Sequence, residues 1–169
     1  MSAALAIINR HRNVLLIDLV LLTALYLLPS FSHLTALPLY KLEPMRVALI
    51  IALLFTNRAN AYLIAFTIPL ASAWITGHPP PLKAVLMGIE FSILVATYLH
   101  LVRKDHIPTF VALAAGILLG KAVYYSMKFM ALSAGWLGGS LVSTPVQTQL
   151  VLAAGTAAIF AFVVHYRRA

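Results

Sequence analysis

The chain has 169 residues, of which 62% are apolar and 9% charged, with a formal net charge of +8 and no cysteine. Soluble domains run nearer half apolar and a quarter charged, so an aqueous cytoplasmic enzyme is excluded, as is a disordered chain, and an integral membrane protein remains. Without cysteine there is no disulfide, thiolate metal site, iron–sulfur cluster or cysteine nucleophile.

Apolar runs predict six membrane-spanning helices in one domain over residues 1–169. At about 20 residues each they leave little chain for loops. The first covers 14–28, closed by Pro29; Arg10 and Arg12 precede it as in a signal peptide. Its end, Leu27-Leu28-Pro29-Ser30, carries no small-x-small cleavage site, so a retained span is expected. A polar connection follows over 30–44, with Pro38, Tyr40, Lys41 and Glu43. The second span, 45–56, is short. Asn57-Arg58-Ala59-Asn60 is expensive at mid-bilayer and separates it from the third, 61–75, which contains Pro69. Gly77-His78-Pro79-Pro80-Pro81 reads as a stiff turn, because proline fixes its dihedral and has no donor. The fourth span is 82–102, and Arg103-Lys104-Asp105-His106 turns the chain. The fifth is 108–127, opened by Pro108 as a first-turn residue. A connection rich in Gly, Ser and Thr leads to the sixth, 146–165, which ends at Arg167-Arg168.

Basic residues orient the spans. With the N-terminus inside, Arg10, Arg12, Arg58, Arg103, Lys104, Arg167 and Arg168 fall on the cytoplasmic side, against Lys41, Arg46, Lys83 and Lys128 outside. Both termini are therefore expected in the cytoplasm, in an all-α, multi-pass protein of a bacterial inner (plasma) membrane. The basic surplus is explained by orientation, and no nucleic-acid partner is expected.

Small residues recur every four positions: Ala61 and Ala65, Ala84, Gly88 and Ser92, Ala112, Gly116 and Gly120, and Ala153, Ala157 and Ala161. That spacing keeps each set on one helix face. Such faces let backbones approach closely in lipid, either inside the bundle or against another membrane subunit.

Ionisable residues inside spans are costly and are functional candidates. Glu90 and Lys121 lie about 12 and 9 Å below the outer ends of the fourth and fifth spans, on one level. They can form a structural ion pair or a polar site entered from outside. Tyr124 and Tyr125 lie one turn from Lys121, while Lys83 and Lys128 share helix faces with Glu90 and Lys121 respectively. Glu43, Tyr40 and Trp136 stand in connections that can close over the site. The ligand-binding candidates are thus Glu90, Lys121, Tyr124, Tyr125, Lys83 and Trp136. Asp18, near the inner end of the first span, is expected to pair with Arg58 or Arg103. The six histidines are scattered and form no HxxxH or HExxH pattern. No G-x-S-x-G elbow or phosphate loop occurs either. No metal, no cofactor and no catalytic residue is expected.

The six-span outline, the connection after the first span, the stretch from Gly77-His78-Pro79-Pro80-Pro81-Leu82-Lys83 to Glu90, and the polar residues in the outer halves of spans four and five together resemble the S component of energy-coupling-factor (ECF) transporters. The resemblance covers the whole chain. It implies a substrate-binding subunit that captures a vitamin or related micronutrient from outside under its first, third and fifth loops. It implies as partners a coupling membrane subunit and a pair of cytoplasmic ATPases. The alternative is a non-catalytic scaffold subunit of a membrane complex, like the rod-shape proteins of related outline, in which the same polar residues are packing pairs.

Overall fold

Proline and asparagine set several of the helix limits. The computed structural model describes residues 2–35, 42–104 and 106–168. Among them are six α-helices and no strand: α1 (Ser2–Thr35), α2 (Pro44–Phe55), α3 (Arg58–Thr76), α4 (Pro81–Leu101), α5 (Thr109–Ser133) and α6 (Val146–Arg168). Pro38, Tyr40, Lys41 and Asp105 lie outside the described residues. Pro44 and Pro81 occupy first turns, where a missing N–H costs nothing. At the 57–60 break, the Asn57 side chain accepts the Asn60 backbone N–H at 2.9 Å and caps α3. The hydroxyl of Thr56 donates to the carbonyl of Ala52 at 2.6 Å at the end of α2. Gly77, with φ 70°, closes α3 in the left-handed conformation that glycine adopts freely.

Several helices exceed their expected bounds: α1 begins at Ser2 and not at 14, α3 at Arg58 and not at 61, and α6 ends at Arg168 and not at 165. Two run on by six or more residues at their C-terminal ends. α1 continues through Pro29 to Thr35, because a proline removes one hydrogen bond without obliging the helix to stop. α5 continues beyond Met127 to Ser133, as nothing in Lys128-Phe129-Met130-Ala131 breaks a helix. Helices α3, α4, α5 and α6 are each long and apolar enough to cross a membrane. α2, with 12 residues, measures about 18 Å.

The helices pack with their small faces inward. α4 makes its main contacts with α5 and α3, and α5 also packs on α6. A Cβ added at Gly116 would stand 2.8 Å from the Leu94 carbonyl oxygen, and one at Gly120 would stand 2.7 Å from that of Glu90. Two glycines therefore bring α5 directly onto the α4 backbone, and a Cβ at Gly88 would meet the Phe66 ring of α3 at 3.1 Å. Ala61, Ala65, Ala84, Ala112 and Ala157 are buried as well. Leu118 and Leu119, between the two glycines of α5, are exposed, as are Leu63 of α3 and Ile159 and Phe162 of α6. Small residues inside and large apolar residues outside is the arrangement for helices surrounded by lipid.

This contact predicts opposite signs for two substitutions of the same kind. Gly120→Ala drives a methyl group into a backbone oxygen that cannot rotate away, and should destabilise the bundle by about 1–3 kcal/mol. Gly155→Ala on α6 meets nothing within 4 Å and should stabilise by up to about 1 kcal/mol through helix propensity. Thermal unfolding of the two variants in detergent checks the contrast; equal shifts would contradict the close α4–α5 approach.

Asp18 differs from its expected pairing with an arginine. Its carboxylate accepts from the Asn60 side-chain amide at 2.8 Å. Asn60 is buried on the face that α3 turns to α1, while Arg58 and Arg103 are exposed. Burial favours the partner that carries no charge of its own to desolvate.

Candidate functional site

The start of α2, on the side of the 77–80 and 134–145 connections, meets the middle of α4 and of α5: Glu90 is the tenth of the 21 residues of α4 and Lys121 the thirteenth of the 25 of α5. There the side chains of Glu43, Arg46, Glu90 and Lys121 form one chain of charges. Arg46 donates through Nη2 to Glu90 Oε1 at 2.6 Å and through Nη1 to Glu43 Oε2. Lys121 Nζ donates to Glu43 Oε1 at 2.7 Å. Two cations and two anions alternate, so the cluster is neutral as a whole.

Glu90 and Lys121 thus belong to one cluster but are not each other's partners. Gly120 is the residue that faces the Glu90 backbone. Successive helix positions turn about 100°, which points Lys121 aside, toward Glu43. The place opposite Glu90 is taken by Arg46, whose side chain is 4% exposed. Arg46 reads in the sequence as an outer-side orienting charge; its place in the third position of α2, three residues after Glu43, was the available sign of an inward role.

Glu43 carries both cations from an unusual backbone. It precedes α2 with φ 51° and ψ 53°, the left-handed region, which costs a side-chain-bearing residue about 1–2 kcal/mol. A glutamate before a helix can cap the free N–H groups, yet this side chain makes no such bond. It reaches across to Arg46 and Lys121 instead. Among the described residues the Arg46 Nε is buried and finds no acceptor.

Aromatic and amide groups flank the cluster. Lys121 Nζ lies 5.9 Å from the Tyr125 ring centroid, and Tyr124 and Tyr125 meet edge to face at 5.4 Å. The Tyr125 hydroxyl donates to Gln149 Oε1 at 2.8 Å, and Gln149 Nε2 donates to the Thr144 carbonyl at 2.6 Å. Gln149 is buried on α6, and being uncharged it carries no sequence signal of its own. Lys128 is also buried. It donates to the Leu141 carbonyl at 2.8 Å and lies 5.9 Å from the Tyr124 ring, which ties the 134–145 connection to α5. Lys83 is half-buried at the start of α4 and joins no ion pair among the described residues. Trp136 is 74% exposed on the 134–145 connection. Of the expected site residues, the cluster and its flank hold Glu90, Lys121, Tyr124 and Tyr125, with Glu43 from the first connection. Tyr40 lies outside the described residues.

A cavity of about 350 Å³ opens at the opposite end, lined by Leu53, Leu54, Tyr98, Phe160, Val164 and Arg167. The Arg167 guanidinium stacks 4.6 Å over the Phe55 ring and donates to the Leu54 carbonyl at 2.6 Å, closing the free end of α2. The arginine of this cavity is already engaged. No group of three or more His, Asp or Glu side chains suited to a metal ion occurs among the described residues.

No protein-family model, curated protein or solved structure matches the chain.

Proposed function

We propose that the chain is a six-span bacterial inner-membrane subunit, with both termini cytoplasmic, that binds a small micronutrient or vitamin-like solute from the outer side. In this reading it works with a separate membrane coupling subunit and ATPases, in the manner of an ECF S component. The observation that carries the reading is the charge cluster itself. Four charged side chains from three helices converge inside an apolar bundle, and one of them, Arg46, keeps a nitrogen without an acceptor among the described residues. Well-packed apolar residues hold helices together at least as well as a buried ion network, so such a cluster fits a polar ligand better than a purely architectural task. The flanking Tyr124 and Tyr125 offer flat apolar contact beside it.

A scaffold subunit is the second reading, favoured by the pairing of both Glu43 oxygens and of Glu90 within the same chain. Mass spectrometry of small molecules released by denaturing the detergent-purified chain separates the two. A stoichiometric solute is expected, because a nanomolar dissociation constant, about −12 kcal/mol, survives purification. An empty chain that co-purifies in fixed ratio with another membrane protein would overturn the transport reading in favour of the scaffold.

A further inference from the structure

We infer that the carboxylate of Glu43 occupies the seat of a solute carboxylate between Arg46 and Lys121, so that the chain takes a small monocarboxylic acid in its anionic form. The inference rests on the solute-binding reading above and names the chemical class of its solute.

Three observations single out Glu43 rather than Glu90 as the group that gives way. The Glu43 side chain is 20% exposed, against 6% for Glu90, so it stands at the rim of the cluster. Its backbone holds a left-handed conformation that costs a side-chain-bearing residue energy, so the position is less firmly held than Glu90 within its helix. Each of its oxygens bonds a cation from a different helix, Arg46 of α2 and Lys121 of α5. Two cations presented to the two oxygens of one carboxylate form a carboxylate receptor whoever supplies the anion.

Charge balance then selects the solute. With Glu43 withdrawn, Arg46 and Lys121 face only Glu90, and the site carries one uncompensated positive charge. A monoanion restores neutrality. A neutral solute leaves that charge buried, and a cation adds another, which a low-dielectric interior opposes. The Arg46 Nε, without an acceptor among the described residues, offers a third donor to an acid group that sits deeper than the Glu43 side chain.

Chemical rescue tests this in the full chain in lipid nanodiscs. Glu43→Ala and Glu43→Ser both vacate the anionic seat, so one can be read if the other folds poorly. Each should melt below the unsubstituted chain, and sodium acetate should recover most of the loss, by preferential binding to the folded state. Sodium chloride at equal ionic strength and the neutral isostere acetamide should not. Adding Lys121→Met to Glu43→Ala should abolish the acetate response. Equal responses to acetate, chloride and acetamide, or acetate rescue that survives Lys121→Met, would overturn the inference. A retained solute with no acid group would also overturn it while leaving the solute-binding reading intact. Acetate rescue in a chain that retains no solute and co-purifies in fixed ratio with another membrane protein would support the anion seat and overturn the transport reading instead.

Discussion

Replacing Arg46 by methionine should destabilise the chain by about 3–5 kcal/mol, the largest loss expected from any single substitution in the bundle. Arg46 faces Glu90 deep in the cluster, at 2.6 Å with 4% and 6% of the two side chains exposed. Removing it strands a carboxylate among apolar neighbours, while Glu43 keeps Lys121. Much of the penalty comes from the stranded charge and not from the lost contact. The double variant Arg46→Met/Glu90→Met removes that charge too and leaves the Glu43–Lys121 pair neutral. It should recover most of the stability, so the two changes should be strongly non-additive. Thermal unfolding of the two single variants and the double variant in one detergent gives the cycle. A loss below about 1 kcal/mol for Arg46→Met would place the pair in the range of solvated surface ion pairs and contradict its burial.

The fold is more legible in the sequence than the pairing within the site. Six apolar runs correspond to six helices because length and hydropathy are properties of each segment alone. The break at Asn57 is local too, since a capping asparagine acts on the N–H three residues ahead. Pro29 misleads for the complementary reason: a single proline weakens a helix locally, and the surrounding residues decide whether it ends. The depth expected for Lys121 fails, since α5 runs on to Ser133 and places it about 18 Å from that end; its level beside Glu90, and the partners of both, depend on how α4 and α5 are set and rotated against each other. Gly120 fixes that rotation by its contact with the Glu90 carbonyl, which periodicity alone does not specify. Arg46 escapes notice because a basic residue near a helix start usually marks the membrane interface. Its inward role arises only once α2 is laid against α4.

Lys121→Met should weaken solute retention by about 10- to 100-fold, the value of one charge-assisted hydrogen bond at about 1.5–3 kcal/mol. Trp136→Ala, on the exposed connection, should change it by less than about threefold, as for a side chain outside the buried contact. Val164→Trp fills the cavity at the opposite end without touching the charge cluster, and it too should leave retention unchanged. Equilibrium binding of the solute identified by mass spectrometry, measured on all three variants, locates the site. A loss with Val164→Trp and none with Lys121→Met would move the solute to the cavity beside Tyr98 and Phe160. A Trp136→Ala loss as large as that of Lys121→Met would extend the site over the 134–145 connection. Glu90→Gln adds a check on mechanism, since it removes the anion that holds Arg46 in place. If both Glu90→Gln and Lys121→Met bind the solute as tightly as the unsubstituted chain, the cluster is an architectural clasp, and the tension between buried charge and apolar packing is resolved in favour of a scaffold.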